Sequence, residues 1–165
     1  MQEKNRALEI SQLFDAPCDM VFTAWTEPAH LQHWFAPEAC EIEFKSIDVR
    51  TGGKFHWVIR DKKNGDCWIK GQYLEVTPPT KIVYKMAFTN EAGDDLKAVP
   101  SNKSVDWPQE LVTTVNFEAI GEKTEVKVHQ SVPESEAKKT GAYSSWFSMF
   151  NNLQNLLKQS IRENY

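Results

Sequence analysis

Tyr143-Ser-Ser-Trp146-Phe147-Ser-Met149-Phe150-Asn-Asn-Leu153-Gln-Asn-Leu-Leu157-Lys158-Gln-Ser-Ile161 is the stretch that decides the fold. Tyr143, Trp146, Phe147, Phe150, Leu153, Leu157 and Ile161 recur at steps of three and four, which gathers them on one wide stripe of an α-helix. Lys158 and Arg162 fall in its last turns, where the helix dipole favours cations. The spacing predicts one helix over residues 137–164. A stripe this broad needs a cover, and the preceding residues supply it.

Upstream, from Cys40 to Gln130, the chain reads as strand after strand. Ile42 and Phe44 alternate with Glu41, Glu43 and Lys45, and Phe55, Trp57 and Ile59 alternate with His56, Val58 and Arg60. Ile82, Tyr84, Met86 and Phe88 keep the same period of two. So do Leu111, Thr113, Val115, Phe117 and Ala119, then Thr124, Val126 and Val128. Thr51-Gly52-Gly53, Asn64-Gly65, Pro78-Pro79 and Gly121-Glu122 mark the turns. Strands with one wet face alternate in this way, so an antiparallel sheet of about seven strands is expected.

Before the sheet, residues 7–14 form a first strand that Asp15-Ala16-Pro17 breaks. A short helix over 17–25 then buries Val21, Phe22 and Trp25. Thr26 is placed to cap a second short helix, with Pro28 in its first turn and Leu31, Trp34 and Phe35 on its apolar side. The fold class that results is α+β: a curved antiparallel sheet gripped by a C-terminal helix, one domain over residues 1–165. Residues 89–106 do not fit it. They are polar, carry Gly93 and Pro100, and read as a mobile excursion.

Composition narrows the functions. Hydrophobic residues make up 41% and charged residues 25%, the balance of a globular domain. No apolar run approaches the roughly 20 residues that span a bilayer, and residues 1–6 lack a signal peptide's apolar core, so no membrane insertion and a cytoplasmic location are expected. Cys18, Cys40 and Cys67 are odd in number and widely spaced, which suits reduced thiols. Net charge is −4 with no basic stripe, which argues against a nucleic-acid partner.

Candidate chemistry is sparse. His30 and His33, with Glu27 behind them, lie only roughly on one helix face and read as ordinary polar side chains on the helix surface rather than a metal site. His56 and His129 alternate with apolar neighbours and are expected to face solvent. No G-x-S-x-G motif or phosphate-cradling loop occurs. No cofactor and no catalytic residue is assigned. The aromatic set stands out instead: Trp34, Phe55, Trp57, Tyr84, Met86, Phe88, Phe117, Trp146, Met149 and Phe150 all fall on faces that point between sheet and helix. Such residues either fill a core or line a cavity.

Several motifs carry a resemblance. They are Phe14-Asp-Ala-Pro17, Val21-Phe-Thr-Ala-Trp-Thr-Glu-Pro28, Trp34-Phe-Ala-Pro37, Thr51-Gly-Gly53 and Gly71-Gln-Tyr-Leu-Glu-Val-Thr-Pro-Pro79. Trp107-Pro108 leading to Thr113-Thr-Val-Asn-Phe117, and Trp146 with Leu153 and Leu157, complete them. In this order they resemble the helix-grip proteins of the START/SRPBCC superfamily. Within it the chain is similar to the bacterial single-domain homologues of the activator of heat-shock-90 ATPase. Met86 stands where relatives commonly have Trp, and Ser145 where Gly is usual.

The resemblance implies a cavity between sheet and helix lined by the ten residues named. An empty hole costs about 24 cal/mol per Å³, so a dry pocket of roughly 300 Å³ would cost on the order of 7 kcal/mol, as much as a whole domain's stability. The cavity is therefore small, wet or occupied. Three functions follow as expectations. The first is binding of a small apolar or aromatic ligand, for carriage, sequestration or sensing. The second is an interaction module modulating a chaperone ATPase in a stress response. The third is a cyclase- or hydrolase-like enzyme using the same cavity, with Tyr84, Thr113 and Thr124 as its polar groups. Either a monomer or a homodimer suits all three.

Overall fold

β1 (Ala7–Phe14) buries Leu8, Ile10 and Phe14 and exposes Glu9, Ser11 and Leu13, the alternation its sequence dictates. The computed structural model describes residues 7–37, 39–63, 65–96, 110–140 and 142–164. Pro17 precedes α1 (Cys18–Thr26), which buries Val21, Phe22, Ala24 and Trp25. α2 (Pro28–Trp34) follows, with Pro28 in its first turn and Leu31 and Trp34 buried. Thr26 does not cap α2. Its hydroxyl donates instead to the Phe22 carbonyl at 3.1 Å, because a threonine inside a helix finds an acceptor one turn back.

Six further strands complete the sheet: β2 (Cys40–Ile47), β3 (Lys54–Asp61), β4 (Gly65–Thr77), β5 (Lys81–Thr89), β6 (Glu110–Ile120) and β7 (Lys123–Pro133). Their order is β1-β7-β6-β5-β4-β3-β2, every neighbouring pair antiparallel. Gly121 sits at φ +64 in the two-residue turn between β6 and β7, a conformation that glycine adopts without strain. Register shifts at Phe44/Ser46 and Tyr73/Glu75 bend their strands and help the sheet curl.

The curved sheet holds α3 (Glu134–Thr140) and α4 (Ala142–Asn164), and α4 packs against α1, α2 and β1. The helix expected over 137–164 is thus two elements, and the sequence has glycine at their junction, about 1 kcal/mol worse than alanine inside a helix. Phe147 also departs from expectation: it is 42% exposed and packs on Tyr143 at 5.1 Å. Adjacent residues on a helix point about 100° apart, so Trp146 takes the core and Phe147 faces outward. Among the described residues, no helix is long and apolar enough to cross a membrane.

The excursion after β5 is in part well formed. Residues 89–96 make a turn pinned to the outer face of the sheet, with Lys45 Nζ donating to the Glu91 carbonyl at 2.9 Å and Lys70 Nζ to the Gly93 carbonyl at 3.0 Å. Residues 97–106 lie outside the described residues. His56 sits beneath this turn rather than in solvent: its ring meets Trp68 at 5.0 Å and its Nε2 lies 3.3 Å from the Thr89 hydroxyl. His129 is exposed, as the alternation of β7 requires.

Candidate functional site

The inner faces of sheet and helices meet in a continuous run of rings. At one end, Phe14 of β1 meets Phe150 of α4 edge-on at 5.4 Å, and Phe150 meets Trp146 at 5.8 Å. Trp146 stacks on Trp25 of α1 at 6.2 Å and 20°, and Phe117 of β6 meets Trp25 at 5.8 Å. Phe35 then bridges Trp146 to Trp57 of β3, at 6.2 and 5.5 Å. Trp57 stacks on Phe55 at 4.1 Å and 11°, and Phe55 meets Tyr84 of β5 at 6.0 Å. Phe55 comes this close to β4 because residue 71, its cross-strand neighbour, is glycine: a Cβ there would meet the Phe55 ring and the Lys85 carbonyl.

Of the ten residues that the sequence singles out, Phe55, Trp57, Tyr84, Phe117, Trp146 and Phe150 are members of this run. Trp34 touches it from behind. It packs between the two short helices against Trp25 at 4.7 Å, and its indole N–H donates to the Ala24 carbonyl at 2.8 Å. Met149 and Phe88 are buried in the same core, while Met86 is partly buried against it.

A polar thread crosses this apolar interior. Trp146 Nε1 donates to Gln130 Oε1 at 3.1 Å, and Gln130 Nε2 donates to Thr113 Oγ1 at 3.0 Å. Thr113 faces Tyr84 across the β5–β6 pair. Burial pushes the Tyr84 and Tyr73 phenols far above their ordinary range, with Thr113 working against the shift at Tyr84. Thr124, expected to join these groups, instead donates to the Ala16 carbonyl at 2.8 Å and fastens the start of α1 to β7. Among the described residues the buried polar side chains are Thr89, Thr113, Thr124 and Gln130, so none carries a charge. Among them, too, no three His, Cys, Asp or Glu side chains gather as a metal site would need.

Sequence reasoning did not single out Trp25, Phe35, Tyr73 and Gln130, which are buried in the same core. The signal for Gln130 was present, since it continues the inward register of Val126 and Val128. It also passed over a groove of about 340 Å³ between α1, α2 and α4, lined by Asp19, Met20, Thr23, Ala24, His30, Leu156 and Leu157. Those residues come from three separated helices, and only the packing unites them.

A family model described as Activator of Hsp90 ATPase homolog 1-like protein matches residues 15–158. Solved structures share the fold. One from Staphylococcus epidermidis is 26% identical with a TM-score of 0.77, covering 95% of this chain and 92% of that one. One from Chromobacterium violaceum is 20% identical with a TM-score of 0.74, covering 92% and 96%. The AHSA1 protein of Silicibacter pomeroyi is 15% identical with a TM-score of 0.73, covering 94% and 99%. No curated protein matches the chain.

Proposed function

The chain belongs to the Activator of Hsp90 ATPase homolog 1-like family, and from that premise we propose that it binds a small apolar or aromatic molecule among the rings between sheet and helix. The observation that carries this reading is the combination of ring run and polar thread. Ligand sites are mostly apolar, with a few polar groups placed to orient what enters. Trp146, Gln130, Thr113 and Tyr84 form such a set inside a wall of Phe35, Phe55, Trp57, Phe117 and Phe150. The role is carriage, sequestration or sensing.

Native mass spectrometry of freshly purified protein tests it. The expected spectrum shows one small molecule per chain, released by organic extraction. A bare chain in every preparation, with no response to added aromatics, would overturn the reading.

The family description also supports a second reading, an interaction module acting on a chaperone ATPase. Exposed Phe147, packed beside Tyr143 on the outer side of α4, favours it. Stimulation of a chaperone ATPase that Phe147→Asp abolishes, with no ligand response, would put this reading first.

A further inference from the structure

Three tryptophans meet inside the core, and two of them have hydrogen-bond acceptors. Trp34 Nε1 donates to the Ala24 carbonyl at 2.8 Å and Trp146 Nε1 to Gln130 Oε1 at 3.1 Å. Trp25, only 3% exposed, has a buried Nε1 with no acceptor among the described residues. An indole N–H can only donate, and buried donors are rarely left alone, so each exception calls for an explanation.

Rings surround Trp25. Trp34 lies at 4.7 Å, Phe117 at 5.8 Å, Phe35 at 6.0 Å and Trp146 at 6.2 Å, the last nearly parallel. The amide oxygen of the polar thread, Gln130 Oε1, already accepts from Trp146. Charge narrows the matter further. The buried polar side chains among the described residues are three threonines and a glutamine, so no cation stands by to neutralise a carboxylate. A buried anion without a partner is heavily penalised by desolvation.

We infer that the interior ligand is an uncharged, flat aromatic molecule bearing a hydrogen-bond acceptor such as a carbonyl, and that Trp25 Nε1 is the donor that meets it. This rests on the binding reading above and names the ligand class. The rings beside Trp25 hold the flat body, and the acceptor satisfies the indole N–H. Fatty acids are disfavoured because their carboxylate would find no counter-ion.

Fluorenone, fluorene and a fluorene carboxylate share one tricyclic frame and test the inference directly. Fluorenone should bind about fivefold more tightly than fluorene, the worth of one added hydrogen bond, and the carboxylate more weakly than either. On isotope-labelled protein, fluorenone should move the Trp25 indole N–H resonance downfield, and fluorene should not. That resonance is assigned through its contacts with the Trp146 and Phe117 rings. In Trp25→Phe the preference for fluorenone over fluorene should vanish, a ratio that general loosening of the core leaves unchanged. Equal affinity of the two probes for the unaltered protein, or fluorenone binding with the Trp25 resonance unmoved, would overturn the inference and leave the binding reading standing. Failure of every probe to bind would overturn both.

Discussion

The Trp146 indole N–H donates to Gln130 Oε1 at 3.1 Å, and this bond ties α4 to β7 inside the core. Gln130 passes the connection to Thr113 on β6, so one amide links the helix to two strands. Gln130→Leu keeps most of the volume but strands the Trp146 N–H. We expect a loss of about 1–3 kcal/mol, read as a lower urea midpoint with an unchanged slope. In a Trp146→Phe background the same substitution should cost less, because no N–H is left to strand.

Gly71 is the position where β4 lets the Phe55 ring lie against its backbone. Gly71→Ala puts a methyl group into that ring and the Lys85 carbonyl. Overpacking of this kind costs about 1–3 kcal/mol. Calorimetry should show a lower melting temperature, and near-ultraviolet circular dichroism a changed Phe55–Trp57 environment. A variant as stable as the parent would show that the Phe55 ring and the Lys85 carbonyl both give way without cost.

The two buried phenols give stability a defined pH dependence. Tyr73 and Tyr84 have folded-state pKa values raised above the ordinary 10.0 by burial. Below pH 10 both are protonated in folded and unfolded chains alike, and their contribution is fully present. Above it the unfolded chain loses its phenolic protons first, so stability falls as pH rises. Phenolate absorbance from Tyr73 and Tyr84 should therefore appear only with unfolding, and Tyr84→Phe should flatten the alkaline decline in the urea midpoint.

How much of this was legible in the sequence follows from the residues concerned. Period-two alternation in β3, β5, β6 and β7 gave the strands and their inward faces, because an antiparallel register fixes which side chains meet. The stripe of α4 was equally plain; among the described residues it overreached at Phe147, whose neighbour Trp146 already faced the core, and the reading ran one helix through what are α3 and α4. The site was harder to read. Gln130 sits in register with Val126 and Val128, yet a polar residue is discounted as an inward one until its partners Thr113 and Trp146 are placed beside it. Phe35, read with Leu31 and Trp34 as the apolar side of the second helix, is buried just past the end of α2, but spacing along one helix does not reveal that it bridges Trp146 to Trp57.

The groove between α1, α2 and α4 is a rival to the proposed interior site, and paired substitutions separate the two. Thr23→Phe plugs the groove between α1, α2 and α4 from an exposed position. It should leave aromatic binding unchanged. Ser145→Leu, next to Trp146 and one turn before Met149, narrows the interior and should weaken binding at a modest stability cost. The reverse pattern, measured by calorimetric titration, would move the site to the groove.

The most direct test of the binding account is a titration of tryptophan fluorescence with melting temperature followed in parallel, using fatty acids, flavonoids and polycyclic aromatics. Trp25, Trp34, Trp57 and Trp146 are all buried around the proposed site, so an entering aromatic reports itself through their emission. The account predicts a saturable quench or shift with at least one aromatic class. The melting temperature should rise with concentration as mass action requires, by about 2.7 kcal/mol of stability at a hundredfold excess over Kd. Unchanged emission and a flat melting temperature across the whole panel would contradict it.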